Sequence, residues 1–510
     1  LKATVTHNQR DFFTLPSSFT ASLPNEDGGR RNNSDSKNQA VNLLAGWTPT
    51  EDVDVMFGFV RQSMERGQPP NAAQHSYPNL VNLPPFGPNA PREGGADQLG
   101  RYWRWPEYET TRYYINANIN LTEQAHLKAV VYNDEHKDTT WDYSRFSDAL
   151  PGDPTFTNRR VGGQSYDQFT RGGQVTLGYT FNEANKLAVS AGYRRLSHKA
   201  TREVDFVDNW VFDAHIVEDY WDFGGEYTLK PLDPLTLVFG ASSSHLIPKT
   251  IQDNLTAPNP AQRYFGEEQD GSKNLFNYQV GAFYELSENH ELFATFAKKS
   301  RFGTMRERFY NRGGQPRNPD LKPEHAFHYE LGYRGLIQDW MKINSSIFYS
   351  DVKEMIYMIS ANEGFDNSQR TKFHGFELGA EALFNQYLTA GLTFNYLEWN
   401  NTSKDPRYSN LTQLPKVTST IYAVVSPLEG LSIIPQVNIS SGFYWTSDPT
   451  VTSYKESGGF ATADLKAVYD FNEHLTFEVG AKNLFDREYA YSAYYPEPGR
   501  SFFVGLTGRY

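Results

Sequence analysis

Alternation is what most restricts how this chain can fold. Ile115, Ala117, Ile119 and Leu121 face one way in YYINANINL, while Tyr114, Asn116, Asn118 and Asn120 face the other. LTFEVGAK sets Phe477, Val479 and Ala481 against Thr476, Glu478, Gly480 and Lys482, and INSSIFYS, GQVTLGYT, KLAVSAGYR, LTAGLTFNY and SIIPQVNIS repeat the split. Successive side chains on a strand point to opposite faces, so each segment reads as a strand with one apolar and one polar face. Period two alone fits a sandwich, which hides its apolar face, and equally a membrane barrel, which turns that face to lipid.

Segment length and connections separate the two. Strands of roughly ten or more residues are what a tilted barrel needs to cross the hydrocarbon layer, whereas ordinary strands run to about five or six. Tight connections (TPTED, NLTEQ, FNEAN, LKPLDP, LSENH, LIQDW, SPLEG, FNEH) alternate with long polar ones at about 12–38, 65–107, 145–165, 250–273, 305–323, 400–412 and 446–457. Short turns at one end and long loops at the other are the asymmetry of an outer-membrane barrel. Aromatic clusters at strand ends, RYWRWPEYETTRYY and DYWDFGGEY, fit interfacial girdles. The fold expected is all-β: one large antiparallel transmembrane barrel of about twenty strands over residues 1–510, multi-pass in a bacterial outer membrane.

Composition agrees. The 510 residues carry a formal charge of -12, 15% aromatic residues and no cysteine. No apolar run approaches the roughly 18 residues of a membrane-spanning helix, and without thiols there are neither disulfides nor thiolate metal sites. The final segment, RSFFVGLTGRY, lines up Phe502, Val504, Leu506 and Tyr510, an aromatic-ended stripe similar to the signal read by barrel assembly machinery. A barrel this wide is an open pore or a plugged transporter.

Two motifs favour the transporter. NPDLKPEHAFHYELGYRG contains Asn318, Pro319, Asp320, Leu321, Lys322, Pro323 and Glu324, then Glu330, Leu331, Gly332 and Tyr333; AKNLFDREYAYSAYYPEPGRSFFVGL contains Asn483, Leu484, Phe485, Asp486, Tyr489, Pro498, Gly499 and Arg500. In this order, and at this distance from the terminal aromatic, they resemble the barrel of TonB-dependent outer-membrane receptors. The two prolines make a stiff corner below an outer loop. Phe327, Tyr329, Leu331 and Tyr333 should then face lipid, and His328, Glu330, Gly332 and Arg334 the lumen. The resemblance implies twenty-two strands, a plug domain, and uptake of a scarce bulky nutrient driven through TonB and its inner-membrane complex. A ferric siderophore or related iron chelate leads; cobalamin, haem or copper uptake, or a passive porin-like channel, are the alternatives. Neither plug nor first hairpin is recognisable, so both are expected outside residues 1–510. Gly303 stands where many members of the family have a proline. No nucleophile, zincin, P-loop or dinucleotide motif occurs in a supporting context, so no catalytic residue, cofactor or nucleic-acid partner is expected.

Two surfaces are candidates for the ligand. Between residues 298 and 317 stand Lys298, Lys299, Arg301, Arg306, Arg308, Arg312 and Arg317 against one acid, Glu307, a local charge of +6 in an acidic chain. Such a loop attracts an anionic chelate, and it equally suits lipopolysaccharide phosphates or acidic plug groups. Tyr102, Trp103 and Trp105, with Arg101 and Arg104, end the longest outer loop and offer stacking for a planar chelator or packing for a girdle. His325 and His328, three apart on a strand, point to opposite faces and cannot share a metal. His75 is a lone candidate axial ligand for haem, and Met355 with Met358 a thin one for copper.

Overall fold

The computed structural model describes residues 1–20, 26, 28–70, 72, 102–143, 160–204, 209–253, 271–309, 318–360, 364–402, 411–445, 455–492 and 495–509. Its elements run β1 (Lys2–Arg10), β2 (Ser36–Thr50), β3 (Val53–Gln68), β4 (Tyr102–Asn120), β5 (Ala125–Tyr143), β6 (Arg160–Asn182), β7 (Asn185–Val204), β8 (Asn209–Leu232), β9 (Leu235–Asp253), β10 (Lys273–Ser287), β11 (His290–Arg301), helix α1 (Met305–Phe309) and β12 (Glu324–Ile337). They continue as β13 (Met341–Ser360), β14 (Gly364–Asn385), β15 (Leu388–Asn401), β16 (Val417–Leu428), β17 (Leu431–Ser440), β18 (Tyr444–Trp445), β19 (Lys455–Glu456), β20 (Phe460–Asn472), β21 (Leu475–Lys482) and β22 (Ser501–Gly508). Twenty strands form one sheet, each antiparallel to its neighbour in sequence, and β18 with β19 make a small separate ladder between β17 and β20. No described helix is long and apolar enough to cross a membrane; the strands do the crossing.

The outside is a band of uncovered apolar side chains. Val131 is 62% exposed, Leu331 53% and Ile347 55%. Their strand neighbours His328, Glu330, Phe348 and Ser350 alternate with them and so point to the other face. Phe327, Tyr329 and Leu331 thus lie opposite His328 and Glu330. Crossing about 25 Å at a tilt near 45° takes roughly ten or eleven residues. Strands β6 and β8 have 23 and 24 residues, so their outer halves rise above the membrane as the walls of a mouth.

β1 and β22 each hydrogen-bond one neighbour in the sheet and do not pair with each other. Laid flat, twenty strands at about 4.8 Å spacing would hold those edges roughly 90 Å apart. The loops beyond them nevertheless touch. Gly499 donates its amide to the Thr14 carbonyl at 2.8 Å, and the Ser17 amide donates to Asp486 Oδ2 at 2.9 Å. The sheet therefore curls round on itself into a barrel.

The alternation of short and long connections is less regular than expected. Only 205–208 separate β7 from β8, and only 361–363 separate β13 from β14, so two outer connections are as brief as the turns. One tight turn, between β14 and β15, escapes sequence inspection because Phe384 and Tyr387 beside it look like strand; Asn385 Oδ1 makes it by accepting the Tyr387 amide at 2.8 Å.

Candidate ligand site at the barrel mouth

The proline corner is a junction. Leu321 is buried, and Asn318 Nδ2 donates to the Phe365 carbonyl at 3.1 Å. Asn367 Oδ1 accepts the Lys322 amide at 2.7 Å while its Nδ2 donates to the carbonyls of Lys322 and Glu354 at 2.9 and 2.8 Å. Lys273 Nζ reaches the Pro319 carbonyl at 2.6 Å, and Glu324 accepts the Ile356 amide at 2.5 Å. Prolines stiffen a loop whose neighbours fill its open backbone groups, so the outer ends of β10, β12, β13 and β14 are tied together.

Above this junction α1 lies across the inner wall. Thr304 and Glu307 close its first turn reciprocally, the Glu307 amide donating to Thr304 Oγ1 at 3.2 Å and the Thr304 amide to Glu307 Oε2 at 2.7 Å. This is the capping box spelled by Thr-Met-Arg-Glu. The apolar side of the helix places Phe309, with Met305, against Ile216 and Ile251. Arg308 is fully buried, 2.5 Å from a fully buried Glu218 Oε1, with its Nε donating to the Gly303 carbonyl at 2.8 Å. Tyr220 donates its hydroxyl to Glu218 Oε2 at 2.9 Å. A side chain at 303 would begin 3.3 Å from Arg308 Cγ, so glycine lets this arginine fold back tightly.

Between α1 and the wall of β4 to β8 is a cavity of about 600 Å3. Trp103 and Trp105, edge to face at 6.4 Å, meet Arg306, Phe309, Tyr166 and His198 there. Tyr166 and His198 stack at 5.5 Å, and Arg66 lies 4.6 Å over the Trp105 ring. Aromatic faces, the Arg306 guanidinium and polar side chains make a concavity of ligand-binding size.

Residues 46–484 match the family described as TonB dependent receptor-like, beta-barrel. The chain belongs to the TonB-dependent receptors. It is 26% identical over 235 residues to the ferric-pyoverdine BN7/BN8 receptor of Pseudomonas putida, a match covering 44% of this chain and 27% of that protein. It is 23% identical over 255 residues to the catecholate siderophore receptor Fiu of Escherichia coli K12, covering 46% and 32%. The matches thus span about a quarter to a third of these relatives' length. Among solved structures, the copper transporter OprC superposes with a TM-score of 0.75 at 17% identity, covering 99% of this chain and 75% of that one, which speaks to the fold. The family consists of transport receptors rather than enzymes, and its barrel is an outer-membrane one.

In this TonB-dependent receptor, the basic stretch reads differently once folded. Arg308 is occupied by Glu218, and Arg301 lies between Glu307 and Glu324 at 2.8 and 2.5 Å, so neither presents the free charge that its sequence neighbourhood suggests. Lys299 faces the lumen and Lys298 the outer wall, its Nζ donating to the Phe276 carbonyl at 3.0 Å. Arg306 is the described arginine of this stretch that lines the cavity, alongside Trp103 and Trp105. Arg104 is structural, holding Asp35 at 2.9 and 2.5 Å and Asn33 Oδ1 at 2.9 Å. Tyr102 pairs with Tyr143 in the strand ladder. His325 and His328 bond to Ser300 and Ser350, on opposite faces. Met355 and Met358 occupy a bulged stretch of β13. His75, Arg101, Arg312, Arg317 and Tyr510 lie outside the described residues.

The second motif is the clasp across the seam. Asn483, left-handed at φ 48°, donates through Nδ2 to the carbonyls of Arg487 and Pro498 at 2.8 and 3.2 Å and accepts the Arg487 amide at 2.8 Å. Asp486 accepts the Arg500 amide at 2.8 Å besides that of Ser17, and these backbone donors hold its carboxyl down to about 2. A Cβ on Gly499 would sit 2.8 Å from the Pro16 nitrogen, so only glycine allows the two loops this close. Leu484 donates its amide to the Ala463 carbonyl at 2.7 Å, while Phe485, Phe502 and Leu506 are exposed on the outside. Sequence reasoning missed Glu218, Tyr166 and His198; all three sit at alternating positions of long strands, with no local signal to set them apart.

Proposed function

We propose that the receptor takes up a ferric siderophore across the outer membrane, with energy supplied through TonB and its inner-membrane partners, and that residues 1–510 act as the barrel domain of that transporter. One observation carries the ligand reading: the cavity under α1 brings Trp103 and Trp105 together with Arg306, two hundred residues away in sequence. An aromatic wall with a guanidinium suits an anionic chelate with planar rings. The names of the pyoverdine and catecholate receptors support the same class of cargo. Binding of ferric pyoverdine and of a ferric catecholate, followed by tryptophan fluorescence quenching, tests it. Quenching that weakens in Trp103→Ala and Trp105→Ala supports the reading; quenching by neither chelate, with cobalamin binding instead, contradicts it.

A further inference from the structure

The outer wall of β10 to β14 carries a feature that ligand capture does not use. An aromatic row crosses it: Phe276 and Tyr278 with ring centroids 6.1 Å apart, Tyr278 and Phe296 at 5.9 Å, Phe296 and Tyr329 at 4.9 Å, Tyr329 and Tyr349 at 6.2 Å. Aromatic rows of this kind mark the level where hydrocarbon gives way to headgroups. One step further from the periplasmic turns, the ladder aligns Lys298, Phe327, Asp351 and Lys372. The next step brings His325 and Lys353. Arg370 grips Asp351 at 2.9 and 2.5 Å, Lys353 and Lys372 are both within electrostatic reach of the same carboxylate, and Lys353 lies 5.1 Å over the Phe327 ring. Lys298, Lys353 and Glu354 all act on His325. Four cations therefore stand against Asp351 and Glu354, on the outside of a chain whose net charge is -12.

The neighbouring wall of β5 to β9 is closer to charge balance. There Arg195 and Lys249 share Asp219, at 2.7 and 4.0 Å, and Arg171 is held by Asn133 and Glu135 at 2.6 and 3.3 Å, three cations against two acids. At β10 to β14 Lys353 and Lys372 share the carboxylate that Arg370 binds, and with Lys298 beside them four cations outnumber Asp351 and Glu354, leaving positive charge at headgroup height above an aromatic floor. A soluble chelate passing through the mouth does not meet this face.

We propose that this patch binds the phosphate groups of an anionic lipid headgroup in the outer leaflet, with the acyl chains lying down the aromatic and aliphatic band below. Lysines act as mobile point charges toward phosphate, and juxtamembrane cations draw anionic lipid to a protein surface. The site lies outside the barrel, so it stands or falls independently of the cargo.

The test uses the intact receptor purified from membranes, stripped of lipid by detergent exchange, and offered diphosphoryl lipid A or its dephosphorylated form, with bound lipid counted by native mass spectrometry. Wild type should retain the diphosphoryl form, and the Lys298→Gln, Lys353→Gln, Lys372→Gln triple variant should retain about tenfold less or lower still. Arg171→Gln, on β6 outside the patch, should retain as much as wild type. Mobility before and after heating on a denaturing gel confirms a folded barrel, and the exposed single variant Lys353→Gln gives a graded loss if the triple variant fails to fold. Equal retention by wild type and a folded lysine variant, or equal retention of dephosphorylated lipid, overturns the proposal. Inorganic phosphate displacing the lipid at equimolar concentration would also overturn it, since the acyl chains would then contribute nothing.

Discussion

Glu218 and Arg308 show how a single residue holds the mouth in shape. Both are fully buried and each is the other's ion partner. Removing one leaves a buried charge unpaired, a loss of about 3–5 kcal/mol. Glu218→Ala should therefore free α1 from the wall and make the loop around Arg306 susceptible to protease, whereas a Glu218→Met, Arg308→Met pair should keep it protected. Asp486 is the corresponding residue at the seam. Its folded pKa, about 2, lies below the ordinary 3.8, so its contribution is complete above about pH 4 and fades as pH falls through about 2. Protection of the Ser17 and Gly499 amides from hydrogen exchange, taken relative to the intrinsic rate at each pH, should fall over that window, and Asp486→Ala should show the reduced protection at neutral pH. Neither pairing was legible in the sequence. Arg308 reads as a free basic residue because the acid that takes it lies ninety positions away, and Asp486 reads as a motif letter because its partners are backbone amides of a loop at the other end of the chain.

At the scale of elements, the sequence is far more legible. Alternation is a local property, so the strands of YYINANINL and NPDLKPEHAFHYELGYRG can be recognised, with their faces, before any contact is known. What alternation does not carry is which inward-facing residue matters. Tyr166 and His198 become visible only when β6 and β7 stand side by side below α1. Gly332 is a similar case: a Cβ there would collide with the Phe293 ring. Gly332→Val should displace that ring or shift β11 against β12, destabilising the barrel by about 1–3 kcal/mol, read as a lower heating temperature for loss of the folded gel band. At the cavity, each of Trp103→Ala and Trp105→Ala should weaken chelate binding by about 0.5–1.5 kcal/mol, up to roughly tenfold, in a fluorescence titration.

The whole molecule is a long antiparallel sheet curled until its first and last outer loops clasp, with a polar mouth above a lipid-facing band. Its long strands and one-sided loops announce that shape in the sequence, and the sheet has the twenty strands expected there. The cargo is not written in the same way, because capture depends on α1, β4 and β6 to β8 converging. Membership of the TonB-dependent receptors makes energised transport the central claim, and one measurement bears on it directly: accumulation of radiolabelled iron from ferric pyoverdine or a ferric catecholate by iron-starved cells carrying the full-length receptor, with and without TonB. Uptake that saturates and vanishes without TonB is the predicted result. Uptake of equal rate in cells lacking TonB, or none from either chelate while the receptor is folded in the outer membrane, would contradict the account.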